Sequence, residues 1–286
     1  VPDIAWPSPF EVLKKYGLTP RKAFSQNFLR DAGVADRLAG DIPLDSDEEV
    51  ILEIGPGTGA MTYFLLERVQ RVIALEKDTG MVTALGEIYK GEALEIIQGD
   101  ALEYTFEDII NTLNVPLRVT GNLPYGITAP LLRRLMDVDP PWRGIHVLLQ
   151  KEVAEKLQFP PGDRNCSPLG ILLQWRYRTY LGVKLSPSSF IPKPDVDSQV
   201  LHAIPRKAPL FDGALERFEK LLGAAFSQRR KKLANNISRL GISKSDAAEA
   251  LKECDLPVSI RAEALTMEQW GRLYAVLLPY LEPRRR

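Results

Sequence analysis

Cysteine and histidine are close to absent from this 286-residue chain, at two residues each. Cys166 and Cys254 lie far apart, and His146 and His202 sit singly among apolar neighbours, so neither a disulfide framework nor a metal-ligand spacing can be built from them. Buried thiols, core histidines and no metal are expected. Long hydrophobic runs are missing too. No stretch approaches the roughly 18 apolar residues of a membrane span, and the opening "VPDIAWPSPF" has neither the basic start nor the apolar middle of a signal peptide. The expectation is a soluble, cytoplasmic protein without membrane contact. An organelle matrix or stroma is the alternative, because the chain begins without Met and a transit peptide is one segment that can be removed.

Net charge is the third absence. Lys plus Arg and Asp plus Glu number 37 each, which argues against a protein that holds any polyanion by charge alone. The balance is uneven along the chain. From Arg206 onward 16 basic residues face 10 acidic ones, a surplus of +6, leaving 21 against 27, or −6, before it. An interaction face in the C-terminal part is expected.

Apolar runs recur through the first two thirds: "EVILEIG" from Glu49, "RVIALEKD" from Arg71, "LEIIQGDA" from Leu94, "LRVTGN" from Leu117 and "IHVLLQ" from Ile145. Rich in Val, Ile and Leu, they read as strands buried on both faces. Segments such as "AMTYFLLERV" and "APLLRRLMDV" alternate with them, which predicts a parallel, doubly wound α/β sheet. Two later runs, "YRTYLGVKL" and "SQVLHAI", are expected to close the sheet as a hairpin. After 205 the periodicity turns helical in "LERFEKLLGAAF", "KSDAAEALKEC" and "MEQWGRLYAVLLPYL". The predicted organisation is therefore a domain over 1–205, with 1–20 as an N-terminal extension, and a small all-helical domain over 206–286 ending in a frayed "EPRRR".

"EIGPGTGA", from Glu53 to Ala60, leads straight off the first strand of that sheet. Gly55, Gly57 and Gly59 let the backbone turn sharply and approach a ligand closely. Glu76 ends the next strand, where a carboxylate can accept from both hydroxyls of a ribose, and Asp100 follows the third strand, where it can accept from an adenine amino group. An adenosine-containing cofactor is implied. NAD and S-adenosylmethionine both fit at this stage.

The stretch after the fourth strand separates them. An exocyclic amine on a base is a poor nucleophile because its lone pair is delocalised into the ring. The Asn122 side-chain oxygen and the Leu123 carbonyl can each accept one amino hydrogen and aim that lone pair at a methyl donor. Pro124 fixes the turn and removes a competing N–H, and Tyr125 offers a face on which a flipped-out base stacks. None of this suits hydride transfer, so the reading is S-adenosylmethionine on a Rossmann-like, class I methyltransferase sheet.

With these residues the chain resembles the ribosomal RNA adenine dimethyltransferases, most closely the bacterial small-subunit type. Further stretches carry the resemblance: "FSQNFL" at 24–29, "LLQKEVAEKL" at 148–157, "FIPKPDVDS" at 190–198 and "AAFSQRRKKLANNI" at 224–237. The resemblance implies that Asn27 and the Leu29 backbone fold over the cofactor with Gln26 nearby. Gly55 would meet methionine, Glu76 ribose and Asp100 adenine, with Lys77 and Ala101 in the same site, while Asn122 would touch cofactor and target. Phe190 is implied as a second aromatic of the base pocket, facing Tyr125. Ser25 stands where family members often have Gly. The implied reaction moves four methyl groups, by in-line displacement, onto two adjacent adenines in a hairpin loop near the 3′ end of small-subunit ribosomal RNA, with no metal, covalent intermediate or general base. A pre-ribosomal small subunit is the implied partner, and the protein is expected to act as a monomer. "QRRKK" at 228–232 supplies Arg229, Arg230, Lys231 and Lys232 as candidate phosphate contacts, with Arg133 and Arg134 as weaker ones. Two rivals remain: a macrolide-resistance enzyme acting on large-subunit RNA, and a non-catalytic nucleic-acid-binding factor on the same fold.

Overall fold

Branched aliphatic residues in short runs make strands wherever both faces of a sheet can be covered. The computed structural model describes residues 2–21, 26–47, 49–113, 117–138 and 142–282. Among them the strands are, in chain order, β1 (Phe28–Leu29), β2 (Val50–Ile54), β3 (Arg71–Glu76), β4 (Leu94–Gln98), β5 (Leu117–Asn122), β6 (Gly144–Gln150), β7 (Tyr177–Leu185), β8 (Phe190–Ile191) and β9 (Ser198–Pro205). One sheet has the order β4-β3-β2-β5-β6-β9-β7, and β1 pairs antiparallel with β8. β2 runs parallel to both β3 and β5, β3 to β4, and β5 to β6. The strand order thus reverses at β2, the doubly wound arrangement expected from the sequence. All of β2 is buried. In such a sheet the ligand crevice opens beyond the C-terminal ends of the strands flanking the reversal, here β2 and β5.

Three details differ from the sequence reading. β4 is an edge strand, so Glu95 and Gln98 are exposed and the strand is not buried on both faces. β9 lies antiparallel to β6 with β7 on its other side, so the two later runs do close the sheet as neighbours, but the connection between them is long and carries β8. The two histidines are not solitary. His146 and His202 are register partners across β6 and β9, with their Nδ1 atoms 2.9 Å apart, and His202 Nε2 lies 3.0 Å from Asp41 Oδ2. Cys166 and Cys254 are both buried and unpaired.

The chain divides into two compact units, 1–154 with 180–205, and 155–179 with 206–286. The second unit takes in 155–179 besides the helical stretch that the sequence marks off at 206. Its helices Leu215–Ala225, Lys244–Glu253 and Met267–Leu281 fall on the predicted periodic segments. Their apolar stripes meet in an aromatic core, where Phe218 packs edge-on to Trp175 at 5.5 Å and to Phe211 at 4.9 Å. Such ring pairs add roughly 0.5–1.5 kcal/mol each beyond burial. Thr266 and Gln269 form a capping box at the start of the last helix. Phe24, Ser25 and the tail from Pro283 to Arg286 lie outside the described residues.

Candidate active site

The turn that leaves β2 sets the site. Gly55, Gly57 and Gly59 all adopt positive φ, at 67°, 57° and 81°, a region that L side chains rarely occupy. At Gly57 a side chain is also excluded by contact, since a Cβ there would lie 2.8 Å from the Phe28 ring. The bare Gly57 N–H donates to Glu76 Oε2 at 3.1 Å, and the Asp78 N–H donates to Glu76 Oε1 at 2.8 Å. Two backbone donors therefore hold a carboxylate that ends β3, and each of its oxygens keeps a further lone pair. Burial pushes the Glu76 carboxyl above its ordinary range, against the lowering effect of those two N–H groups.

A cavity of about 280 Å³ opens at this point. Every cofactor residue read from the sequence except Gly59 lines it, and so do all four residues from Asn122 to Tyr125. Gly59 instead caps the helix Ala60–Leu66, and its carbonyl accepts from the Tyr89 hydroxyl at 2.6 Å. On the adenine side expected from the sequence, Lys77 Nζ lies 2.6 Å from Asp100 Oδ2, and the Leu102 N–H donates to Asp100 Oδ1 at 2.9 Å. The Lys77 contact holds the Asp100 carboxyl below its usual range.

Across the cavity, β5 ends in Asn122. Its Nδ2 donates to the Asn27 carbonyl at 2.7 Å, so the oxygen is the end of the amide left out of that bond. The Leu123 N–H is occupied by the Leu148 carbonyl at 3.2 Å. Tyr125 begins a single 3₁₀ turn, Tyr125–Ile127, and its hydroxyl lies 2.9 Å from Ser198 Oγ. Gln26 donates to Asp78 Oδ2 at 3.4 Å, and Arg21 Nε lies 3.3 Å from the same oxygen. Phe190 is not brought to this cavity. It pairs with Leu29 across β1 and β8 and is buried in the apolar cluster with Leu148 and Val200.

The candidate RNA contacts separate into two kinds. Arg134 Nη2 donates to the Tyr104 carbonyl at 2.6 Å and its guanidinium stands over the Phe106 ring, while Arg133 pairs with Asp137 one turn on. Arg229 Nη2 donates to the carbonyls of Arg164 and Cys166 at 3.0 and 3.3 Å. These three are engaged by the protein itself. Arg230, Lys231 and Lys232 instead line a hollow of about 510 Å³ in the second unit, with Lys244 and Arg261 on its walls and no carboxylate among the lining residues. The sequence reading did not pick out Lys244 and Arg261, because each is a lone cation until the fold gathers them. It also passed over Glu53. That carboxyl sits inside β2 at 2% exposure and lines the cavity, and its charge within an otherwise apolar strand was the available signal.

Residues 17–277 match the family model for ribosomal RNA adenine dimethylase. The chain belongs to that family. It is 34% identical over 275 residues to the Ribosomal RNA small subunit methyltransferase A of Lachnoclostridium phytofermentans, covering 93% of this chain and 94% of the relative. Among solved structures it resembles a dimethyladenosine transferase from Plasmodium falciparum, with a TM-score of 0.75 and 25% identity over 88% of this chain and 98% of the other. It also resembles the 23S rRNA methyltransferase ErmE, with a TM-score of 0.67 and 26% identity over 88% of this chain and 99% of the other. The dimethylase family and these likenesses agree with the class I methyltransferase sheet. Among the described residues, no His, Cys, Asp or Glu group could hold a metal, and no helix is long and apolar enough to cross a membrane.

Proposed function

We propose that this chain transfers methyl groups from S-adenosylmethionine to the exocyclic N6 amines of two adjacent adenines in the 3′-terminal hairpin loop of small-subunit ribosomal RNA, acting as a monomer on a pre-ribosomal small subunit. The observation that carries the reading is that Asn122–Tyr125 and the Glu76–Gly57 pair face one cavity. The name of the 34%-identical relative supports the small-subunit substrate.

The donor set suits the cofactor. Glu76 is fixed by two N–H groups yet retains acceptors for two ribose hydroxyls, and Gly55 presents bare backbone at positive φ. Asp100 and Ala101 would frame adenine, and Gln26, Asn27 and Leu29 would cover the site. When bound, S-adenosylmethionine supplies an electrophilic methyl group. Asn122 Oδ1 and the Leu123 carbonyl would accept the two amino hydrogens and turn the nitrogen lone pair toward that group. The bond from Asn122 Nδ2 to Asn27 supports this reading, because it leaves the oxygen end of the amide for that task. Tyr125 would stack the base, its ring tethered through Ser198. Phe190 would reach the base only if the β1–β8 pair shifts. RNA would dock through Arg230, Lys231 and Lys232 of the helical unit, joined by Lys244 and Arg261.

The test is incubation with labelled S-adenosylmethionine and unmethylated small subunits, followed by digestion of the RNA to nucleosides. Label in N6,N6-dimethyladenosine is the expected result. Label confined to nucleosides other than N6-methylated adenosines contradicts the reading.

A further inference from the structure

Glu53 is the one carboxyl of the cavity that the proposed chemistry leaves without a task. It belongs to β2, it is 2% exposed, and among the described residues its carboxylate accepts from the Thr62 hydroxyl, at 2.6 Å to Oε2. Thr62 itself is fully buried on the helix Ala60–Leu66. The titratable groups whose charge reaches Glu53 are Glu76, at the end of β3, and Tyr89, just beyond the helix Thr79–Ile88. Neither is cationic. Lys77 lines the same cavity, but its Nζ is committed to Asp100 at 2.6 Å. Among the described residues, then, two buried carboxyls share one cavity, and the one lysine beside them is turned to Asp100. A buried charge of this kind is costly unless paired, so the missing partner is sought in the ligand.

We propose that Glu53 makes the cavity selective for a ligand carrying an extra positive charge, ionising when the cationic methyl donor binds and taking its proton back when the neutral thioether product replaces it. The proposal rests on the cofactor reading above. The proton balance is simple: the carboxyl releases one proton to solvent as the sulfonium enters, and it regains one from solvent once that charge has gone. Burial holds the Glu53 carboxyl up at about 7, with the Thr62 hydroxyl pulling it down and Glu76 pushing it up, so the exchange falls within the physiological range. The consequence is a bias against product inhibition. A site matched to the shape of adenosine and methionine alone would hold donor and product equally.

The experiment measures dissociation constants by calorimetry for S-adenosylmethionine and S-adenosylhomocysteine with the intact protein at pH 6.0 and 8.5. In the wild type the preference for the donor over the product should rise with pH, by on the order of tenfold for one charge pair at intermediate dielectric. Glu53→Gln keeps the shape and an acceptor for Thr62, and it should make the ratio independent of pH. Thr62→Val removes the hydroxyl that favours the ionised form, so the rise should move to higher pH. A wild-type ratio that does not change with pH overturns the proposal, as does a Glu53→Gln ratio that still tracks the wild type. If the Gln variant does not fold, an unshifted profile in Thr62→Val overturns it instead. Failure of the wild type to bind either compound at any pH is a different outcome, and it removes the cofactor reading itself.

Discussion

Asn122 Nδ2 donates to the backbone carbonyl of Asn27 at 2.7 Å, a contact that spans 95 positions of sequence. It joins the end of β5 to the residue before β1. The amide nitrogen is thereby spent on the protein and its oxygen lies outside that bond; in the proposed chemistry that oxygen accepts from the amine. Asn122→Ala should lower the single-turnover methylation rate by roughly 10²–10³, the range for removing one preorganised group that acts on the transition state. RNA affinity should change little. Asn122→Asp keeps an acceptor but turns the contact with the Asn27 carbonyl into oxygen against oxygen, and should be nearly as slow. Near-normal turnover by the Ala variant would reduce Asn-Leu-Pro-Tyr to a turn.

Glu76 is held by Gly57 and Asp78 and should bind both ribose hydroxyls. Glu76→Ala is expected to weaken S-adenosylmethionine binding by about 1.5–3 kcal/mol, the range for hydrogen bonds to a charged group. Calorimetry on the free protein checks this without RNA. Unchanged affinity would place the ribose elsewhere.

The basic run should divide by residue. Arg230, Lys231 and Lys232 open onto a hollow without carboxylates, so replacing the three with Ala should flatten the salt dependence of binding to small subunits by about one unit of slope per lost contact. Arg229 donates to two carbonyls and stands over Phe226. Arg229→Ala should therefore lower the unfolding midpoint by a few degrees and leave the slope near that of the wild type.

Stability should carry a pH signature at Glu53. Its native carboxyl is raised to about 7 from an ordinary 4.5, so between these values the native state holds a proton that the unfolded chain has lost. Wild-type stability from this group is therefore lost as pH rises through that window. His146, pushed down to about 3 by burial, has the opposite sign: its contribution is complete above about pH 6.5, the ordinary imidazole value, and is lost as pH falls. The difference between Glu53→Gln and wild type isolates the carboxyl. It should move in favour of the variant by roughly 3 kcal/mol from pH 4.5 to 8, read from urea unfolding at each pH. A difference that stays constant would show that Glu53 is ionised throughout.

Much of this was legible in the residues. The glycine turn, Glu76, Asp100 and Asn122 declare themselves because each sits at the C-terminal end of a strand whose apolar pattern is plain. Strand register is not written in one strand alone, so the meeting of His146 with His202 across β6 and β9 could not be read. The same holds for β8, too short to show a period, whose pairing with β1 draws Phe190 into the core. Arg134 and Arg229 looked like free cations because a sequence does not show which backbone carbonyls will lie within reach of a guanidinium.

The most direct measurement of the central claim offers the protein unmethylated small subunits and large subunits together, with S-adenosylmethionine, and maps modified bases by primer extension on both RNAs. Stops at two adjacent adenines in the 3′-terminal hairpin loop of the small-subunit RNA, with none on the large subunit, are the predicted result. Stops confined to large-subunit RNA would contradict it.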